Sequence, residues 1–211
     1  AAFVAASRDD LVRQLEVFAA AKAEPGERID FDQRGVAFHF SATAEHVAEH
    51  ARQLWVNEPI FRHTAERCLA CLDEISASPT PRVPDAMGIP AAFTADEGAL
   101  GDVFLFVFEY ALAELLASYG IEPTAVSADG VGESVAACRT GDLSLEDALS
   151  LALGRERGLV VPRGACAAEE YPVVVEIGGA ANATTGARHR LVAGDFTRLL
   201  ATLFTLGYAV Q

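Results

Sequence analysis

The chain has 211 residues, of which 51% are hydrophobic, and a formal net charge of −14 at pH 7. We expect one domain with a sizeable core, belonging to a longer polypeptide because no initiator Met is present. The acidic balance argues against nucleic acid as a partner, and the sequence contains neither a signal-peptide pattern nor an apolar run long enough to predict a membrane span.

The alternation of apolar runs and turn residues predicts an α/β fold. In chain order we predict a helix over 7–23, a strand over 35–40, helices over 44–54 and 59–75, a proline-containing surface loop over 76–101, a helix over 102–120, a strand over 125–128, helices over 131–140 and 142–157, a strand over 171–177 and a helix over 195–206. Residues 159–161 are interpreted either as a short strand or as the exit of the preceding helix, and residues 191–193 as a possible further short strand. Ser7 and Ser144 are typical of helix N-caps, and Gly120 is typical of a helix end. Strands that alternate with helices indicate a doubly wound parallel sheet.

The four cysteines do not predict a metal or redox site. Cys68 and Cys71 have C-x-x-C spacing, but they are one isolated pair within a predicted amphipathic helix. We interpret them as small apolar residues of a helix face, and Cys138 and Cys166 have no such spacing. A reducing cytoplasm fits this cysteine usage, and no cofactor is predicted.

The most specific motif is a predicted strand-to-helix turn. Residues 128–133 read Ala-Asp-Gly-Val-Gly-Glu, with Gly130 at the apex. This hexapeptide resembles the nucleophile elbow, usually Gly-His-Ser-x-Gly-Glu, of the acyltransferase domains of polyketide and fatty-acid synthases. Glycine has no oxygen to acylate, so covalent transfer through residue 130 is chemically impossible.

Further segments resemble the same family, in the family's order. They are residues 58–62, 108–116, 140–148 and 174–178. The chain is therefore identified as a member of the acyltransferase family of modular polyketide synthases, which implies the α/β-hydrolase-like large subdomain of those enzymes. The resemblance divides the chain into a remnant of the ketosynthase–acyltransferase linker (1–30), a truncated acyltransferase-like core (31–194), and a C-terminal helix with the start of the following linker (195–211).

The resemblance also assigns the family's catalytic positions. Thr43 takes the place of the glutamine whose amide helps to form the oxyanion hole, and Asp129 takes the place of the histidine before the serine. Arg155 matches the arginine that holds a malonyl-type carboxylate, here as a vestigial substrate contact. The catalytic-base histidine belongs to a ferredoxin-like subdomain for which residues 159–171 leave no room. We therefore expect that this subdomain is missing, that no catalytic residue remains, and that the domain is not an enzyme.

Ser127, Ser134 and Cys138 are the candidate replacement nucleophiles near the turn. None has an obvious basic partner in the sequence, because the histidines are scattered. They are His39, His46, His50, His63 and His189. Returning a serine to position 130 is accordingly expected not to restore transfer.

Asp129 suggests a second hypothesis. Its carboxylate could form a salt bridge with the Arg155 guanidinium and so fill the substrate pocket from within. The alternative is that Asp129 is solvated and that Arg155 pairs elsewhere.

Three functions remain open on the sequence alone. The first is an inactive scaffold that contacts the neighbouring ketosynthase domain of the same polypeptide. The second is a docking module for an acyl carrier protein or a trans-acting acyltransferase. The third is a residual decarboxylase or hydrolase of acyl thioesters that uses Arg155.

Overall fold

The structure is a computed structural model that describes residues 1–21, 35–40, 47–75, 99–154, 171–178, 189–192, 196–208 and 210. Its elements are α1 (Arg8–Ala20), β1 (Val36–Phe40), α2 (Val47–Asn57), α3 (Pro59–Ile75), α4 (Ala99–Ser118), β2 (Ala125–Ala128), α5 (Gly132–Thr140), α6 (Leu145–Ala152), β3 (Val173–Ile177), β4 (His189–Val192) and α7 (Phe196–Leu206). Within these residues, no helix combines the length and the apolar character needed to cross a bilayer.

The four strands form one parallel sheet in the order β2-β1-β3-β4. Phe38 of β1 lies opposite Val126 of β2 on one side and opposite Val175 of β3 on the other. The chain passes from β1 to β2 at one edge of the sheet, and later from β3 to β4 at the opposite edge. The direction of winding therefore reverses between β1 and β3, which is the topological switch point. The predicted α/β class with a parallel sheet is confirmed.

The two faces of the sheet differ in what they bury. On one face, Val36, Phe38 and Phe40 join the main core with side chains of α2 to α7. Helix α4 supplies much of that core because apolar residues surround its axis, and Phe108 packs edge-to-face on Phe61 of α3 with ring centroids 5.9 Å apart. Such a ring pair adds about 0.5–1.5 kcal/mol beyond the area that it buries.

The opposite face is built from small side chains. Ala37, Ala125 and Val174 are buried there, with half-buried Tyr171 against them. Side chains alternate between the faces along a strand, so residues 39, 127 and 176 belong to this second face as well.

The predicted helix caps are confirmed. The backbone N–H of Asp10 donates to Ser7 Oγ over 3.2 Å at the start of α1, and that of Asp147 donates to Ser144 Oγ over 3.1 Å at the start of α6. Gly120 has φ 78° just after α4, a backbone conformation that glycine adopts without strain.

Several boundaries differ from the predicted ones. Helix α4 begins at Ala99 and so includes three residues that were assigned to the loop. None of the three is a proline, which would interrupt a helix. The negative charge of Asp102 in the first turn stabilises the positive end of the helix dipole. Helix α6 ends at Ala152, before Gly154 at φ 66°. Strand β4 begins at 189 rather than 191, because pairing with β3 extends it beyond its weak local signal.

Other predicted features lie outside the described residues. They are the strand at 159–161, the loop over 76–98, the start of the second helix at 44–46, and the segment 160–170 where the subdomain is expected to be missing. The division of the chain at 30/31 and 194/195 stays a prediction.

Candidate active site

A tight turn joins β2 to α5 at the carboxyl end of the sheet. The backbone N–H of Asp129 donates to Phe40 O over 3.0 Å, which fixes the turn to the end of β1. Gly132 begins α5 directly against the same residue: a Cβ added there would lie 2.7 Å from Phe40 Cβ and 2.8 Å from Phe40 O. Only glycine allows this approach of helix to strand, so the sequence Gly-x-Gly sets the geometry of the turn.

Gly130 stands at the apex of the turn, exposed and with φ 58°. A nucleophile elbow is a strained strand-to-helix turn of this kind, in which the apex residue presents its side chain at the top of the sheet. The backbone of the elbow is therefore present at residues 128–133, whereas the apex offers no nucleophilic atom.

Next to the apex, three polar side chains lie in a row, which we call the Ser127–His39–Asp129 row. Nδ1 of His39 and Oγ of Ser127 are 3.0 Å apart, at hydrogen-bonding distance. Nε2 of the same imidazole lies 3.7 Å from Oδ2 of Asp129. His39 is only 8% exposed, whereas the Asp129 side chain is 70% exposed, so the row runs from a half-buried hydroxyl through a buried imidazole to a solvated carboxylate.

Strand register explains why these residues meet. His39 lies opposite Ser127 on β2 and opposite Glu176 on β3, and Glu176 is fully buried. A serine, a histidine and a glutamate therefore occupy one level of three adjacent parallel strands, one residue before the end of each of β1, β2 and β3. Open α/β sheets bind their ligands at this edge, in the crevice of the switch point.

The pairing of Ser127 with His39 corrects the expectation that the candidate nucleophiles lack a basic partner. The two residues are 88 positions apart, and no local pattern sets the register between strands so far apart in sequence. The available signal was compositional: His39 and Ser127 are the only polar residues of the apolar segments that form β1 and β2.

Two of the predicted site residues, Thr43 and Arg155, lie outside the described residues. The hypothesis of an Asp129–Arg155 salt bridge therefore stays a prediction. Within the part of the chain that the structure describes, His39 is the ionisable side chain found beside Asp129.

The remaining candidate nucleophiles have structural environments. Ser134 is buried in α5 and its hydroxyl donates to the carbonyl of Val131 over 2.7 Å. Burial raises the pKa of the Cys138 thiol, which makes it a poorer nucleophile near neutral pH. Cys68 is a buried free thiol whose pKa burial raises to about 12, and Cys71 is free and half-buried, so this pair belongs to the core side of α3.

Comparison with known proteins places this geometry in a family. No protein-family model matches the chain. The erythronolide synthase EryA2 of Saccharopolyspora erythraea is 34% identical over 162 residues, which make up 74% of this chain and 4% of the synthase. The polyketide synthase GfsA of Streptomyces halstedii is 33% identical over 167 residues, which make up 78% of this chain and 2% of that protein. The chain thus spans a small fraction of the relatives that it matches.

Solved structures point to the same part of these proteins. The acyltransferase domain from the second module of the salinomycin polyketide synthase superposes with a TM-score of 0.57 at 28% identity, over 73% of this chain and 36% of that one. The chain belongs to the acyltransferase domains of modular polyketide synthases. Another acyltransferase domain, that of SpnD in complex with 2-(pent-4-yn-1-yl)malonyl, superposes with a TM-score of 0.51 at 26% identity, over 72% of this chain and 35% of that one.

These comparisons overturn one prediction. The expectation that this acyltransferase domain is not an enzyme is wrong, because its relatives are synthases and its structural neighbours are acyltransferase domains of such synthases. That expectation combined the glycine at 130 with Thr43 at the oxyanion position and with the expected loss of the subdomain that carries the base. Ser127 was set aside because no basic partner was evident in the sequence, whereas the fold brings it next to His39.

Proposed function

We propose that this acyltransferase-like domain transfers an acyl group from an acyl thioester to a thiol within a polyketide synthase. The observation that carries the proposal is the elbow: the strand, the apex with positive φ and the helix start remain fixed against Phe40 at the carboxyl edge of the sheet. A turn of this type places the backbone N–H after its apex, here that of Val131, where the carbonyl oxygen of a bound thioester gains negative charge.

The electrostatics of the elbow support an anionic transition state. Helix α5 begins at Gly132, and the N-terminal end of a helix carries partial positive charge. A thioester carbonyl placed there would be stabilised as negative charge develops on its oxygen. Such preorganised donors contribute about 3–4 kcal/mol each to comparable reactions.

The substrate class we propose is malonyl-type thioesters. Arg155 is the proposed contact for the free carboxylate, because a guanidinium forms two parallel hydrogen bonds to such a group. Replacing Arg155 with Ala is expected to lower the turnover of malonyl-CoA relative to that of acetyl-CoA. Equal losses for both substrates would refute this role.

Thioester turnover by the purified domain tests the proposal directly. The domain would be incubated with malonyl-CoA or acetyl-CoA and with pantetheine as the acceptor, and acyl-pantetheine would be quantified by mass spectrometry. Formation above the rate without protein supports the function, and no formation with either donor contradicts it. Gly132→Ala, which pushes the elbow away from Phe40, is expected to lower the rate, whereas Gly101→Ala, which meets no described atom within 4 Å, serves as the matched control.

A second role, in contact with a neighbouring domain, is favoured by α1. No residue of α1 is buried, and its large apolar side chains are exposed. They are Leu11, Val12, Leu15, Val17 and Phe18. Leu11, Leu15 and Phe18 follow one another at helical spacing and form one face of α1. We propose that the neighbouring ketosynthase domain covers this face, in keeping with the proposed linker at 1–30.

Binding of the domain to the ketosynthase domain of its own synthase tests this second role. Leu15→Glu on α1 is expected to weaken binding at least tenfold, because a charge would be placed in a desolvated interface. Ile60→Glu on α3 is the control, since Ile60 is similarly exposed, at 45% against 44% for Leu15. Equal affinity of the two variants would contradict the assignment of α1.

The acceptor in the synthase is proposed to be the thiol of an acyl carrier protein. Acidic carrier proteins would be repelled by the net charge of −14, so this encounter is expected to speed up as salt rises. A trans-acting acyltransferase is the alternative partner, and competition between it and the carrier protein for the domain would distinguish the two. The proposed compartment is the cytoplasm, consistent with the free thiols of Cys68, Cys71 and Cys138.

A further inference from the structure

We propose that Ser127 is the nucleophile of this domain and that His39 is its general base. The inference rests on the proposed acyl-transfer function and identifies the residues that would carry it. It is drawn from the geometry of the Ser127–His39–Asp129 row, not from the apex of the elbow.

The first support is the contact itself. The distance of 3.0 Å between Ser127 Oγ and His39 Nδ1 is that of a nucleophile and its base within hydrogen-bonding reach. Asp129 lies on the far side of the ring, 3.7 Å from Nε2. A proton held on Nε2, toward the carboxylate, leaves Nδ1 as the acceptor for the serine proton. A hydroxyl, an imidazole and a carboxylate thus follow one another in the order of a hydrolytic triad, with the two ring nitrogens exchanged and with the carboxylate at ion-pair distance rather than hydrogen-bonding distance.

The second support is position. Ser127 is half-buried at the carboxyl end of β2, two residues before Asp129 and three before the apex. The row therefore borders the same edge of the sheet as the N-terminus of α5, where the thioester carbonyl is proposed to bind. A nucleophile there can attack without any side chain at position 130.

The local composition gives the same pair a structural role as well. The second face of the sheet is lined by the small side chains of Ala37, Ala125 and Val174. An imidazole on such a face loses its hydration, and the hydroxyl on the neighbouring strand compensates for part of that loss. A hydroxyl–imidazole pair on such a face could stabilise the fold without taking part in catalysis. The variants described below separate these two roles.

The chemistry of the step is balanced. Ser127 Oγ attacks the thioester carbonyl carbon as its proton passes to His39 Nδ1, and the tetrahedral intermediate then breaks the C–S bond. The leaving thiolate takes the proton back from the imidazolium and departs as the thiol, which leaves an ester on Ser127. An acceptor thiol repeats the sequence in reverse, giving the new thioester and the free serine.

A fluorophosphonate probe tests the nucleophile without requiring turnover. The wild-type domain would be treated with the probe, digested, and the site of modification read by mass spectrometry, with acyl-pantetheine formation measured in parallel. We expect modification at Ser127, its loss in Ser127→Ala, and normal modification in Ser118→Ala, whose hydroxyl donates to the carbonyl of Leu115 far from the row. Modification at another serine, or none, would overturn the inference.

Two variants separate catalysis from folding. His39→Gln keeps a hydrogen-bonding group beside Ser127 but removes the base, so we expect labelling to slow by about 100-fold or more at an unchanged melting temperature. Ser127→Cys supplies a thiol at the same position and should be alkylated by iodoacetamide faster in the presence of His39 than in the double variant with Gln. Asp129→Asn should slow labelling less than about tenfold, because the carboxylate is exposed. Unaltered labelling in His39→Gln would overturn the role of the base.

The outcomes distinguish the inference from the proposed function. Acyl-pantetheine formation that persists in Ser127→Ala would leave the function in place and refute the nucleophile. Absence of both turnover and labelling in the wild-type domain would refute both. Labelling of Ser127 without turnover would support the nucleophile and refute the function.

Discussion

Substitution of Gly132 by Ala tests the contact that positions the elbow. Three atoms of Phe40 would lie 2.7, 2.8 and 2.9 Å from the new Cβ, and two of them belong to the backbone. Backbone atoms cannot rotate away, so α5 must move off β1. Overpacking of this kind costs about 1–3 kcal/mol, and the better helix propensity of alanine returns about 1 kcal/mol. We therefore expect a net loss of up to about 2 kcal/mol.

Gly101→Ala is the matched control for that loss. Gly101 lies in α4 with negative φ, and no described atom lies within 4 Å of an added Cβ. Here the same substitution should stabilise the protein by about 0.5–1 kcal/mol. Urea unfolding followed by circular dichroism measures both variants; in a chain of this length, each 1 kcal/mol also shifts the melting temperature by about 2–4 °C. A Gly132→Ala protein as stable as Gly101→Ala would refute the close packing of elbow and strand.

Three further predictions concern the rest of the fold. The pKa of about 12 caused by burial leaves about 10⁻⁴ of the Cys68 thiol ionised at pH 8, so iodoacetamide should modify it only after denaturation; rapid labelling of the native protein would contradict its burial. Ser144→Ala should cost about 1 kcal/mol in urea unfolding through loss of the α6 cap and Ser144→Gly only a few tenths, and equal losses would contradict the cap. Arg139 forms a close ion pair with Glu114 and lies 3.4 Å from the exposed Glu122. Glu114→Gln should therefore lower the free energy of unfolding by about 1–3 kcal/mol and Glu122→Gln by less than about 0.5 kcal/mol. A larger loss in Glu122→Gln would contradict this ranking.

Local sequence patterns were sufficient to predict most of the elements. The Val-Ala-Phe-His-Phe and Val-Val-Val-Glu-Ile segments are short and apolar, as expected for strands buried on both faces, and they form β1 and β3. Ser7 and Ser144 marked helix starts because a side-chain oxygen there satisfies an amide of the first turn. Helical periodicity also predicted α1, but periodicity does not say which surface covers a helix, and the apolar side chains of α1 are exposed.

The site was predicted in part. The elbow could be found because a strand, a Gly-x-Gly turn and a helix follow one another within residues 125–140. The partnership of His39 and Ser127 depends on the register of two strands that are far apart in sequence, which only the folded sheet sets. The scattered positions of the histidines in the sequence therefore gave no sign that one of them lies beside Ser127.

The same register explains Glu176. The segment that contains Glu176 was predicted as a strand from its sequence. Its position opposite His39 depends on the pairing of β1 with β3, which the sequence does not specify. The prediction that the domain is not an enzyme, which was drawn from Gly130, Thr43 and the expected missing subdomain together, was wrong.

Peptide-resolved mass spectrometry after rapid mixing with malonyl-CoA tests the central claim most directly. The wild-type domain would be quenched in acid within the first turnovers, digested, and searched for an acyl ester. The account predicts a malonyl ester on Ser127 that disappears when acceptor thiol is added and does not form in Ser127→Ala. An ester on any other residue, or an unmodified chain alongside acyl-pantetheine product, would contradict it.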